Sequence, residues 1–346
     1  MNREKAKRFK DSLWVFVVLG WAFFLPACAS LSSLFEVKQE TPEGKPLVFQ
    51  SDDYVVTRLQ GGETAEGLAE RFLKDRKRAW VVEEANRGVS FEKGSFIVIP
   101  LKGESRGGLR PNGYQTVPIL CYHRLADQCE SALCMTTPLF EAQMRYLKEK
   151  GYRVISLADL AEFLAYRRAL PSKAVVINLD DGYRSTYDIA YPILKKYGFT
   201  ASLFIYTDFI GASANSLTWD QLKKMKAEGF EVGSHSLSHC DLTKKREGEE
   251  EAEYLQRIRT ELVQSKQLID KKLNQNTTYF AFPYGEYNHR ILSLCEEVGY
   301  ELGLSVKRGG NPFFSDPLAL RRDQILRKDM EGFVGSLTTF QELPLR

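Results

Sequence analysis

The stretch AVVINLDDGYRSTYDIAYPILKKYGFTASLFIY, residues 174–206, decides the architecture. Ala174 to Leu179 is an apolar run of strand length, Thr186 to Tyr197 reads as a helix, and Ala201 to Tyr206 reads as a second strand. The text on both sides repeats this βα unit. Upstream stand strand Val117 to Tyr122, helix Phe140 to Lys150, strand Tyr152 to Ile155 and helix Leu157 to Arg168. Downstream follow helix Asp220 to Glu228, strand Phe230 to Val232, a long charged helix ending at Leu273, strand Tyr279 to Phe282, helix Arg290 to Val298 and strand Leu302 to Val306. Such alternation points to a parallel sheet, open or closed as a barrel. Function in these folds gathers at the carboxyl ends of the strands.

Three strand ends carry chemistry. Ala174 to Leu179 runs into Asp180-Asp181-Gly182, where Gly182 lets the backbone turn and brings both carboxylates into one mouth. Asp-Asp-Gly is also an ordinary turn and capping sequence, so its weight comes from its neighbours. Past Val232 lies His235-Ser236-Leu237-Ser238-His239, which holds two of the chain's 4 His. Such a turn can bring two ring nitrogens to one metal, with Asp181 as third ligand and a position left for water; two histidines at this spacing also serve as capping or core residues. The third strand ends in Pro283-Tyr284-Gly285, a turn whose exposed amides could face an oxyanion, or merely a turn.

In this order, Asn178-Leu179-Asp180-Asp181-Gly182, His235-Ser236-Leu237-Ser238-His239 and Phe280-Ala281-Phe282-Pro283-Tyr284-Gly285 resemble the polysaccharide deacetylases of the NodB type, carbohydrate esterase family 4. The resemblance implies an α/β fold, a distorted (β/α)7-type barrel over residues 116–346. It also implies hydrolysis of acetamides on N-acetylglucosamine polymers, with Asp180 as general base, Asp181, His235 and His239 as ligands of a divalent ion of the zinc type, and the Tyr284 N–H on the oxyanion. Two features depart from the common pattern. Phe280 and Ala281 stand where the third motif usually begins with an Arg, and no Leu-x-Leu-His occurs near the C-terminus, where Leu318-Ala319-Leu320-Arg321-Arg322 is found. Instead Ile119-Leu120-Cys121-Tyr122-His123 ends a strand in His, which looks like the permuted branch that includes poly-N-acetylglucosamine deacetylases. That branch implies His123 as the acid. Arg321 or Arg322 is expected to replace the missing Arg, and His289 to be a surface residue.

Residues 53–102 read as a small βααβ unit with strands Tyr54 to Thr57 and Phe96 to Pro100 and helices Ala65 to Lys74 and Ala79 to Asn86. Gly62-Glu63-Thr64, Leu68-Ala69, Asn86 and Ile99-Pro100 resemble a LysM module, which implies binding to peptidoglycan or chitin. Glu63 departs from the usual Asp there. Residues 29–52 and 103–115 lack hydrophobic periodicity and read as linkers.

Arg3, Lys5, Lys7, Arg8 and Lys10 precede an apolar run from Leu13 to Leu25, the layout of a secretory signal. The run is short for a permanent span, which takes about 20 apolar residues. Leu25-Pro26-Ala27-Cys28 resembles a bacterial lipoprotein box, implying a signal over 1–28, a lipid on Cys28 and an envelope location, the outer membrane or periplasm in a Gram-negative cell. Of the 6 Cys, Cys129 and Cys134 sit close in a polar loop and are expected to pair. Cys121, Cys240 and Cys295 read as small buried residues.

Composition narrows the classes. With 43% hydrophobic and 27% charged residues the chain is an ordinary globular protein. A net charge of +3 gives no nucleic-acid footprint. A non-haem iron oxygenase shares a two-His, one-carboxylate set, but the βα alternation opposes its usual double-stranded β fold. A non-catalytic cell-wall binder with a degenerate barrel is opposed by the presence of all of Asp180, Asp181, His235 and His239. Peptidoglycan and poly-N-acetylglucosamine both remain open as substrates.

Overall fold

The computed structural model describes residues 47–102, 106–110, 113–326 and 329–343. The basic leader, the apolar run and Cys28 lie outside the described residues, and among those described no helix is long and apolar enough to cross a membrane.

The N-terminal unit comprises strands β1 (Leu47–Gln50) and β2 (Tyr54–Arg58), helices α1 (Ala65–Leu73) and α2 (Ala79–Ala85), and strand β3 (Phe96–Pro100). Val55, Leu68, Val82, Ile97 and Ile99 fill its core. Thr64 caps α1 by accepting from the Gly67 N–H. The buried Asn86 ties α2 to β3, accepting from the Val98 N–H at 2.9 Å and donating to the Val82 and Val98 carbonyls. Two of the expected linkers are shorter than the sequence suggested. β1 occupies the end of the first and pairs with β2. In the second, β4 (Leu109–Arg110) and β5 (Gly113–Gln115) join the chain's last strand in a small antiparallel sheet. Strands of two to four residues are too short to show a periodic pattern, so local periodicity does not reveal them.

The larger unit opens with β6 (Ile119–Tyr122), the short pair β7 (Arg124–Ala126) and β8 (Cys134–Thr136), and helix α3 (Thr137–Glu149). Cys129 and Cys134 form a disulfide in this region. Then come β9 (Arg153–Val154), α4 (Leu157–Leu164), β10 (Ala174–Asp181), a π-helical turn at Thr186–Ala190 continuing as α5 (Tyr191–Tyr197), β11 (Ser202–Ile205) and α6 (Trp219–Ala227). β12 (Glu231–Ser234), α7 (Glu251–Leu273), β13 (Tyr279–Ala281), α8 (His289–Val298), β14 (Leu302–Leu304), β15 (Asp323–Gln324), α9 (Met330–Gly335) and β16 (Phe340–Glu342) complete it. Helix α4 stops four residues before the expected Arg168 because Tyr166 takes up a left-handed φ of 57°.

The parallel sheet runs β14-β13-β12-β11-β10-β6-β15, with β9 against the start of β10. Segment 320–324 touches both edges: Leu320 bridges Leu304, and Asp323–Gln324 pairs with Leu120–Cys121. A distorted seven-stranded α/β barrel results. Alternation along the strands sorts side chains. Val175, Ile177 and Leu179 of β10 face the helices, whereas Ala174 and Val176 pack inward with Ile119, Phe204, Ala281 and Leu304. By the same parity Cys121 and His123, Asp180, and Gly233 and His235 point into the barrel. Gly233 must lack a side chain, since a Cβ there would lie 2.5 Å from the Phe204 ring.

The small unit rests on the opposite end. Glu83 pairs with Arg153, Asp75 with Arg168 at 3.2 Å, and Glu84 accepts from the Ser172 N–H and hydroxyl at 3.0 Å each. Ser172 lies two residues before the start of β10, and the carboxylates sit at the strand's last two residues. Six residues of strand at about 3.3 Å each separate the two ends by roughly 20 Å.

Candidate active site

All six of the residues picked out for chemistry meet at the carboxyl ends of β6, β10, β12 and β13. Asp180, 1% exposed, ends β10 inside the barrel. Arg322 lies fully buried opposite it: Nη1 donates to Oδ1 at 2.9 Å, Nη2 stands 2.8 Å from Oδ2 as an ion-pair contact, and Nε donates to the Ser305 carbonyl at 2.8 Å. Of the two arginines expected to replace the family's missing one, Arg322 is therefore the one in place. Burial alone would push the Asp180 carboxyl up, but the Arg322 guanidinium, with His235 and His123, outweighs it and holds the pKa at about 2. The Cys121 thiol donates to Oδ2 at 3.4 Å, and burial pushes that thiol's pKa well up. Cys121 is thus small and buried as expected, and also touches the candidate base.

Asp181 does not follow the strand. Its φ is 74° and that of Gly182 is 84°, so the chain turns one residue earlier than Gly182 alone implied. The reversal carries the Asp181 carboxylate toward the histidines rather than the helices. Its Oδ1 lies 3.5 Å from His235 Nε2 and 3.3 Å from His239 Nε2. Ser236 and His239 also have positive φ, 72° and 62°; such placements cost on the order of 1–3 kcal/mol each and persist only where the surroundings enforce them.

These three residues fit a cation. His235 Nδ1 lies 2.7 Å from the Ala281 carbonyl; a carbonyl can only accept, so Nδ1 carries the proton and Nε2 is left bare. Burial pushes the His235 pKa down to about 4, keeping the ring neutral. Asp181 Oδ1 is buried and, among the described residues, receives no hydrogen bond. A carboxylate oxygen facing two imidazole nitrogens is a donor set for a divalent ion with nitrogen and oxygen ligands, and all three ligand atoms lie within 4.8 Å of one another. The carbonyl behind His235 is the outer partner such ligands usually have.

His123, 9% exposed, brings a ring nitrogen within 4.8 Å of Cys121 Sγ and an Asp180 oxygen. Tyr284 sits in the turn after β13 with φ 59°. The turn's own hydrogen bonds use the N–H groups of Gly285 and Glu286, not that of Tyr284. Its ring is 60% exposed and 4.8 Å from that of His239, and with Tyr206, 5.2 Å from His239 on another side, it gives the mouth an aromatic rim. His289 is exposed at the start of α8, as expected.

Comparison with known proteins shows similarity to polysaccharide deacetylases. A family model described as polysaccharide deacetylase matches residues 167–303. YxkH of Bacillus subtilis (strain 168), classed by name with polysaccharide deacetylases, is 32% identical over 209 residues, 60% of this chain and 71% of that protein. The poly-beta-1,6-N-acetyl-D-glucosamine N-deacetylase of Escherichia coli (strain K12) is 25% identical over 257 residues; the match spans 64% of this chain but only 38% of that protein. Among solved structures, the Streptococcus pyogenes deacetylase PplD in complex with acetate superposes with a TM-score of 0.59 at 30% identity, covering 64% of this chain and 98% of that one.

Proposed function

The chain belongs to the polysaccharide deacetylase family, and on that premise we propose that it is a divalent-metal hydrolase removing acetyl groups from N-acetylglucosamine units of an exported envelope polysaccharide. The observation that supports this is the convergence of Asp181, His235 and His239, with Asp180 and His123 beside them, at one mouth of the barrel. An amide is a poor electrophile with a poor leaving group. Its hydrolysis needs an activated water, stabilisation of the oxyanion and a proton donor.

A zinc-type ion held by Asp181, His235 and His239 would polarise the acetamide carbonyl and bring the pKa of water to roughly 7. Asp180, kept ionised by Arg322, accepts the proton of the attacking water. The Tyr284 N–H steadies the developing oxyanion, a contribution of about 2.7–4 kcal/mol for one such donor. His123 delivers a proton to the departing sugar nitrogen. Acetate and a glucosamine unit with a new positive charge leave.

The Escherichia coli relative favours poly-β-1,6-N-acetylglucosamine as the polymer; the resemblance of residues 53–102 to a LysM module favours peptidoglycan as the second choice. The leader ending at Cys28 supports export and a lipid anchor in the envelope membrane. Incubating the purified protein with each polymer and measuring released acetate tests the reading. Release should stop with a chelator and return with zinc. Release indifferent to chelation would contradict the metal, and no release from either polymer would favour a glycan-binding protein with a degenerate barrel.

A further inference from the structure

The two imidazoles hang on a turn that its own sequence does not favour. Residues 235–239 contain no glycine, yet Ser236 and His239 take φ 72° and 62°, where a Cβ is crowded. Some support is local: Ser236 Oγ accepts from the His239 N–H at 2.9 Å. The Ser236 N–H donates to Ser234 Oγ at 3.2 Å, and that hydroxyl donates to Ser265 Oγ of α7 at 2.8 Å. The middle of the turn is held from further away. Glu261 of α7, 4% exposed, accepts through Oε2 from the N–H groups of Leu237 and Ser238 at 3.0 and 2.9 Å, and through Oε1 from the Ser238 hydroxyl at 2.6 Å.

We propose that Glu261 is the positioning residue of the metal centre, fixing the His235–His239 turn so that both Nε2 atoms meet Asp181. The inference rests on the metal reading above. A buried carboxylate needs compensation, and among the described residues no ion pair joins Glu261; its acceptors go to this turn. Both carboxylate oxygens only accept, and bonds to an ionised group are roughly twice as strong as neutral ones. Donors on Leu237, two residues from either histidine, and on Ser238, one residue from His239, leave the ring positions little freedom. On α7 the acid stands among Tyr254, Ile258, Leu262 and Ile269 on the buried face, so it is not there for solvent.

Zinc affinity by competition titration, and the visible spectrum of the cobalt-substituted protein, read the centre without turnover. Glu261→Leu removes every acceptor at similar volume and should weaken zinc binding by about 10–100-fold with a changed cobalt spectrum. Glu261→Gln, whose carbonyl can still accept both amides, should fall between it and wild type. Wild-type affinity and spectrum in folded Glu261→Leu protein would overturn the proposal. If that variant does not fold, Glu261→Gln and Ser238→Ala decide: weakened zinc binding with unchanged circular dichroism is expected, and unchanged affinity in both overturns it. Wild-type protein that binds neither ion would instead sink the metal reading, an outcome distinct from tight binding by wild type and Leu variant alike.

Discussion

Arg322 and Asp180 form the most consequential pair of side chains, because both are buried and each is the other's counter-charge. Removing one partner of a buried pair leaves an uncompensated charge at a cost of about 3–5 kcal/mol, so Arg322→Met should show that loss in urea unfolding near neutral pH. The pH dependence has a definite sign. In wild type the folded pKa of Asp180 is depressed, so its contribution is present above the unfolded value of about 3.9 and lost as pH falls through about 2. In Arg322→Met the bare buried carboxyl instead rises above its unfolded pKa and is relieved by protonation, so the gap between the proteins should narrow as pH drops into the carboxylate range. A gap that widened would show that Asp180 is not the group being compensated. Asp180→Asn should lower acetate release by at least about 10²–10⁴-fold with zinc still bound in equilibrium dialysis. His123→Ala should lower turnover with little loss of metal. Full activity in either variant would remove the role given to that residue.

At the scale of elements, the turns after the strands matter more than the strands. The Pro283–Gly285 turn presents the Tyr284 N–H, and Gly285 sits at φ +76° with no room for a side chain: a Cβ would meet Val306 Cγ2 at 2.2 Å and its backbone nitrogen at 2.6 Å. Gly285→Ala should therefore cost about 1–3 kcal/mol in thermal or urea unfolding. It should also reduce kcat while zinc affinity holds, since the proposed ligands Asp181, His235 and His239 belong to other turns. Unchanged kcat would separate Tyr284 from the chemistry. The βα alternation was legible where a strand is an apolar run closed by polar turn residues, as in Ala174 to Leu179. The left-handed placement of Asp181, Ser236 and His239 was not, because nothing in those residue types asks for it; contacts from β11, α7 and β13 impose it.

For the whole molecule, the docking of the small unit at the amino ends of the strands means that the catalytic mouth faces away from it, roughly 20 Å along β10. The polar contacts described are two partly exposed ion pairs, worth about 0–1 kcal/mol each, and the hydrogen bonds from Ser172 to Glu84. Neutralising them together, as Asp75→Asn, Glu83→Gln and Glu84→Gln, should increase the radius of gyration in small-angle scattering and leave hydrolysis of a short soluble oligomer unchanged. If the unit grips polymer, release from insoluble polymer should fall. An unaltered scattering profile would show that these contacts do not set the arrangement. The sequence by itself determined the repeat of strand and helix, the identity of the three motif clusters and the His at the end of β6, because apolar periodicity and short motifs are local properties of the chain. The tertiary structure alone decided that Arg322 rather than Arg321 faces Asp180 across 142 residues of sequence, that Glu261 braces the histidine turn, and that segment 320–324 closes the barrel. Those pairings join distant positions through burial and close packing, and no spacing along the chain records which buried charge will meet which.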